Sequence, residues 1–275
     1  LDWIPPWLLV VIAILSVQVG AALATQLFSV AGANGVVFLR TLLGALIFMV
    51  LWRPRVRGYT RTQYGYIVLY GVVIALNMLL FYAAIELIPL GIAVAIAFAG
   101  PLGVAVIGSR KPIDLLWVAL AGIGVLLLSP FTNADLDPIG VLLAVMTGVA
   151  WGAYVVLTKR VTHLLPGNDL LALAMAVAAL VTLPTGLTGA LQIIGFPLLI
   201  LLAVVVALLS SAIPFGLEFY ASKQLAPRVF GMLLAVEPVA AALIGAVFLQ
   251  QGLALPEVVG IALVTIAAIA TTRNT

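Results

Sequence analysis

FYAAIELIP at residues 81–89 and FYASKQLAP at residues 219–227 share five identities in nine and lie 138 residues apart in a chain of 275. That offset is close to half the length, so the chain reads as two related halves, 1–130 and 131–275. The copies differ in charge: the first carries Glu86, and the second carries Lys223 with Arg228 just beyond it. A turn written twice with opposite charge points to two copies in two different surroundings. The other reading open from these nine residues is two unrelated helix pairs that share an aromatic-and-proline turn by chance.

The surroundings follow from composition. The chain is 65% hydrophobic and 8% charged, whereas a soluble domain carries about 25% charged residues. Such a surface needs lipid as its solvent. The formal net charge of +3 is small and the bases are scattered, which argues against a nucleic-acid partner. With no Cys, disulfides, thiolate catalysis and Cys-ligated zinc are excluded, and a lone His163 cannot form a histidine cluster. No metal or cofactor is expected. The first apolar run is not followed by a soluble domain, so it reads as a membrane helix rather than a cleaved signal.

A helix needs about 20 apolar residues to cross the hydrocarbon. Ten runs fit: 7–29, 36–52, 64–85, 90–108, 113–129, 138–158, 169–190, 196–221, 228–249 and 255–272. They break at turn chemistry such as AGANG (31–35), RPRVRG (53–58), SPFTNADLDP (129–138) and LPGND (165–169). The apolar residues are continuous rather than alternating, which excludes a membrane barrel. In a ten-helix arrangement Arg53, Arg55, Arg57, Arg61, Arg110, Lys111, Lys159, Arg160, Lys223, Arg228 and Arg273 all fall on one side. The other side holds Glu86, Asp135, Asp137 and Glu257 and no base. By the positive-inside rule both termini are cytoplasmic, with Arg40 the one base out of place.

Five runs per half is an odd number, so the second half enters the membrane upside down. The expected fold is therefore an all-α polytopic membrane protein, ten helices in two inverted five-helix repeats around a central cavity. In transporters built this way substrate binds near the midplane, where the pseudo-two-fold axis passes. Gly100-Pro101 follows Pro89 by twelve residues and Glu237-Pro238 follows Pro227 by eleven, which puts both prolines about half-way along their helices.

Candidate site residues follow from polarity at depth. A carboxylate such as Glu237 near the bilayer centre costs at least a few kcal/mol unless it faces protein or water. It is a candidate to hold a substrate ammonium or to carry a proton; a protonated Glu237 bonded to a neighbouring helix is the structural alternative. Pro101 and Pro238 free the carbonyls of Ala97 and Leu234, as acceptors for an ammonium or as plain kinks. Polar stripes at helical spacing bring in Gln18 on the first run and Asn77 and Phe81 on the third. Thr147, Trp151, Tyr154 and Thr158 form the stripe on the sixth run, and Ser211, Phe215, Glu218 and Ser222 that on the eighth. Four amphipathic faces suggest one shared cavity, with ordinary interhelical hydrogen bonding the alternative for each residue. Tyr154 reads more readily as part of the aromatic belt and Glu218 as interfacial. Arg40 is placed either to attract a carboxylate or to snorkel to the outer surface. Tyr82 and Tyr220 sit in the duplicated turns as outer and inner gates. Gly91, Ala95, Ala99 and Gly103, four apart, form a smooth ridge on the fourth run.

The stretches SVQVGAALATQLFSVAGANGVVFLRTLLGALI (16–47), YAAIELIPLGIAVAIAFAGPLGVAVIGSRKPIDLLWVALAGIGVLLL (82–128) and EPVAAALIGAVFL (237–249) resemble bacterial amino-acid exporters of the drug/metabolite transporter superfamily, EamA type. The likeness covers nearly the whole chain and includes an arginine at Arg40. It departs at LQQ (249–251), where many members read LGE. The resemblance implies inverted repeats around a cavity, export from a bacterial inner membrane and threonine- or homoserine-like substrates, with aromatic amino-acid exporters as relatives. The expected function is a monomeric secondary transporter, with protons as a candidate coupling ion, that rocks the third and fourth runs against the eighth and ninth. Carriers of drugs or nucleotide sugars are the rival within transport. A lipid-modifying membrane enzyme or an assembly scaffold are rivals of other classes.

Overall fold

In the computed structural model the described residues are 4–88, 90–109, 112–127, 136–234, 236–240, 243 and 255–273, and their regular structure is entirely helical. The elements are α1 (Pro6–Trp52), α2 (Arg61–Ile85), α3 (Leu90–Gly108), α4 (Pro112–Leu127), α5 (Pro138–Val161), α6 (Gly167–Leu191), α7 (Pro197–Ala207), a π turn (Leu208–Ala212), α8 (Ile213–Gln224), α9 (Pro227–Leu234) and α10 (Leu255–Arg273). Residues 236–240 are helical as well. Among the described residues six stretches are long and apolar enough to cross a membrane: Pro6–Ala24, Gln26–Trp52, Arg61–Ile85, Pro138–Val161, Gly167–Leu191 and Pro197–Gln224. The expected second half of the ninth run, the LQQ at 249–251, Pro89, Arg110, Lys111 and Asp135 lie outside the described residues.

The break between the first two runs is shorter than the sequence suggests. A loop is expected at 31–35, yet helical backbone runs through from Pro6 to Trp52 with one interruption, Gly32 at φ 66, ψ 168. That conformation is essentially open to glycine alone. The interruption is a hairpin, as two hydrogen bonds show. Ser16 Oγ donates to the Leu209 carbonyl at 2.6 Å and Arg40 Nη2 donates to the Ser210 carbonyl at 2.7 Å. In a straight helix residues 16 and 40 would stand about 36 Å apart, at about 1.5 Å per residue. They reach adjacent carbonyls, so the two arms of α1 fold back side by side on the π turn.

Side chains cap two of the helix starts. Thr60 and Gln63 form a capping box, with Gln63 N–H to Thr60 Oγ1 at 3.2 Å and Thr60 N–H to Gln63 Oε1 at 2.9 Å. Asp137 caps α5 by accepting from the backbone of Ile139 at 2.7 Å and Gly140 at 3.1 Å.

The basic loops gather at one end of the bundle. Lys159 Nζ donates to the carbonyls of Ser222, Lys223 and Leu225 at 3.0–3.1 Å. Gln63 donates to the Leu164 carbonyl at 3.0 Å, and Arg228 pairs with the buried Asp114 at the start of α4. Asp169, at the start of α6, accepts from the backbone of Arg55 at 3.1 Å and from the Tyr59 hydroxyl. The turn after α2 lies elsewhere: a Cβ built on Gly140 would come within 2.8 Å of the Leu87 Cβ. Gly140 and Lys159 bracket α5, about 28 Å apart at about 1.5 Å per residue, close to the roughly 30 Å of a bilayer core. The two FYA turns therefore sit at opposite ends of α5.

Packing separates scaffold from site. α6 buries Leu170, Leu171, Ala174, Met175 and Ala178 in the main core against α1 and α2, and Thr41 and Thr182 share a hydrogen bond at 2.9 Å. α4 and α10 pair with each other. α3 and α5 touch backbone to backbone: a Cβ on Gly100 would lie 1.8 Å from the Gly148 carbonyl oxygen. This moves the expected ridge. Ala99 is exposed and a Cβ on Gly103 would meet nothing within 4 Å, so the close-packed face of α3 runs through Ala97 and Gly100.

Candidate functional site: a charged cavity at mid-depth

A cavity of about 280 Å³ lies between α1, α2, α3, α5, α8 and α9. On α5 its wall runs from Thr147 to Tyr154, the middle of the stretch between Gly140 and Lys159. Nine of the eleven expected site residues line it: Gln18, Arg40, Asn77, Phe81, Tyr82, Trp151, Glu218, Glu237 and Pro238.

Two expected residues do not. Pro101 is buried away from the cavity, and its carbonyl oxygen would lie 2.9 Å from a Cβ on Gly231. The carbonyl it leaves free, Ala97, packs on Gly148 of α5, so it lies at a helix contact. Tyr220 is half-buried against the main apolar core. Of the two tyrosines expected at the gates, Tyr82 lies in the cavity wall and Tyr220 does not.

Three residues sit deeper than expected. Tyr154 is buried rather than part of a belt. Its hydroxyl donates to Glu218 Oε2 at 2.7 Å, and its ring stacks on Tyr70 at 5.6 Å. Tyr70 in turn shares a hydrogen bond with Thr158 at 3.0 Å. Glu218, 9% exposed, is inside the bundle and not interfacial. Arg40, 8% exposed, does not snorkel. Its Nη1 donates to the Tyr82 hydroxyl at 3.3 Å and its Nη2 to the Ser210 carbonyl at 2.7 Å.

The backbone explains why that carbonyl is on offer. Ile213 N–H donates five residues back to Leu208, which makes the π turn and deprives Leu209 of its usual α-helical donor. Pro214 has no N–H for Ser210. Ser16 meets the first carbonyl and Arg40 the second. The sequence shows Pro214 freeing Ser210 but gives no partner for it; the partner comes from 170 residues away.

The rest of the wall is mostly apolar, from Val17 and Ile74 to Pro214, Phe215 and Leu234, with Thr147 and Ser210. Asn77 Nδ2 donates to the Thr147 carbonyl at 3.3 Å. Aromatic rings meet edge to face at Phe81–Tyr82, Phe28–Tyr82, Phe98–Trp151 and Tyr154–Phe215, with centroids 5.9–6.0 Å apart. Three charged side chains face this mostly apolar space: Arg40, Glu218 and Glu237. Glu237 is partly exposed to the cavity and within electrostatic reach of both others. It makes no hydrogen bond among the described residues.

The chain resembles characterised proteins along most of its length. It is 38% identical over 256 residues to the threonine/homoserine exporter RhtA of Escherichia coli strain K12, covering 90% of this chain and 86% of that one. The threonine/homoserine exporter RhtA of Salmonella typhimurium strain SL1344 is 37% identical over 255 residues, covering 91% and 85%. A crystal structure of a protein 21% identical superimposes with a TM-score of 0.76 over 98% of this chain and 96% of the other, a likeness of fold alone. Residues 138–273 match the EamA-like transporter family. With a lipid-facing helical bundle and a cavity at mid-depth, the chain belongs to the EamA-like transporter family of the drug/metabolite transporter superfamily: it is a membrane transporter and not an enzyme.

Proposed function

We propose that this protein exports small amino acids of the threonine and homoserine kind across a bacterial inner membrane by alternating access. Two inverted five-helix repeats, 1–130 and 131–275, form one monomeric unit with both termini in the cytoplasm. The observation that carries the amino-acid reading is Glu237, a carboxylate without a hydrogen-bond partner among the described residues in a mostly apolar cavity of about 280 Å³. A substrate ammonium supplies what it lacks. Ligand pockets for drug-sized molecules run from about 300 to 1,000 Å³, so this one suits a solute the size of an amino acid. The relatives named as threonine/homoserine exporters support the substrate class. The placement of the two FYA turns at opposite ends of α5 supports the inverted arrangement.

Alternation moves α2 and α3 against α8 and α9, with the cavity between them. Glu237 holds the ammonium in one state and takes a proton when the substrate leaves, which couples export to the proton gradient.

Counterflow of labelled threonine into proteoliposomes tests this reading. The wild-type protein is expected to exchange threonine and homoserine, and Glu237→Gln to lose at least about 10-fold in rate, the scale of one hydrogen bond to a charged group. Unchanged rate and pH dependence in Glu237→Gln would remove Glu237 from the mechanism. Exchange of aromatic amino acids at an equal rate would widen the substrate class.

A further inference from the structure

We infer that Arg40 is the docking point for the substrate's carboxylate, so that the amino acid lies between Arg40 and Glu237 with its ends in a fixed order. This rests on the amino-acid reading above and adds the orientation of the bound molecule.

Arg40 is an ionised group nine-tenths buried at mid-depth, and among the described residues it has no carboxylate partner; the ion pair found there is Arg228–Asp114. Taking a guanidinium out of water costs several kcal/mol, and Arg40 makes no ion pair among the described residues to offset it. Tyr82 and the Ser210 carbonyl, freed by Pro214, hold the guanidinium by two of its five N–H donors. Both partners are neutral: they fix the plane of the guanidinium, and the carboxylate within electrostatic reach of it is Glu237. The Nε–H is buried with no acceptor. Glu218, the other carboxylate of the cavity, is committed to the Tyr154 hydroxyl through Oε2.

A planar fork with donors to spare matches the two oxygens of a carboxylate. Arg40 is the one cation among the residues lining the cavity, and Glu237 is the carboxylate there with no donor. A zwitterion satisfies both at once. An amine without a carboxylate satisfies only Glu237, so Arg40 acts as the residue that distinguishes amino acids from amines.

The test compares two competitors of labelled threonine counterflow in proteoliposomes at mildly acidic pH: unlabelled threonine, and threonine amide, which keeps the ammonium and side chain but has no negative charge. For the wild-type protein the amide is expected to compete at least about 10-fold more weakly. In Arg40→Gln, checked for folding by gel filtration, threonine should weaken by a similar factor, the amide should be unaffected and the preference should vanish. Equal competition by the amide in the wild-type protein overturns the assignment, and that comparison stands even if the variant fails to fold. A variant that weakens both competitors alike, or that keeps the preference, overturns it too, because a purely structural arginine cannot alter the ratio. Absence of threonine flux from the wild-type protein refutes the export reading itself, a different outcome from flux without carboxylate preference.

Discussion

Replacing Gly100 by alanine tests how closely the cavity wall depends on the α3–α5 contact. A Cβ at Gly100 would stand 1.8 Å from the Gly148 carbonyl oxygen and 2.6 Å from its carbon. Real Cβ contacts essentially never fall under 3.0 Å, so the helices must part by about 1.2 Å at this crossing. The obstacle is backbone, so no side-chain rotation relieves it. Overpacking of this kind costs about 1–3 kcal/mol. Gly103→Ala is the matched control: it lies on the same helix, meets nothing within 4 Å and carries the same change in helix propensity. The difference between the two variants therefore isolates the clash. At about 2–4 °C per kcal/mol for a chain of this size class, Gly100→Ala should unfold several degrees below Gly103→Ala in a thermal-shift assay in detergent. Transport should fall as well, because Thr147 and Trp151, on either side of Gly148, line the cavity. Indistinguishable melting temperatures would show that α3 and α5 are not packed backbone to backbone, and the placement of the cavity wall would go with that contact.

Gly32→Ala should destabilise the protein by about 1–3 kcal/mol, the strain of a side chain at φ 66, ψ 168; a melting temperature equal to wild type would refute the hairpin at this residue. Pro214→Ala restores an N–H that competes with Arg40 for the Ser210 carbonyl. It should raise the KM for threonine without abolishing transport, and an unchanged KM would show that the Ser210 contact does not position Arg40. Burial, aided by the hydrogen bond to the Asp169 carboxylate, pushes the Tyr59 phenol up from 10.0 to about 12. A phenol raised on folding stabilises below its unfolded value and loses that contribution as pH climbs through the folded one. Wild-type stability should therefore decline between pH 10 and about 12 more steeply than that of Tyr59→Phe, and parallel pH profiles would dissociate Tyr59 from Asp169.

The apolar runs that match the six membrane-length stretches, the break before Pro138 and the grouping of the described bases at one end were legible without coordinates, because each depends on neighbours within a turn or on lipid as solvent. The polar stripes located most of the cavity for the same reason: helical spacing puts Asn77 and Phe81, or Trp151 and Tyr154, on one face wherever the helix goes. That Tyr82 lines the cavity while Tyr220 does not, and which face of α3 meets α5, were not legible. Pro101 and Pro238 read alike in sequence, yet one packs on Gly231 and the other lines the cavity, since which face of a helix meets a cavity depends on its rotation against its neighbours. Nor does spacing show that a loop at AGANG is a single glycine hinge, or that Arg40 is held at depth instead of snorkelling. The sequence by itself determined the solvent, the helices and the charged residues that burial makes expensive. Only the tertiary structure decided how those charges are met, because the acceptor that keeps Arg40 inside is a backbone carbonyl 170 positions away, and a freed carbonyl carries no mark in the sequence of the residue that will fill it.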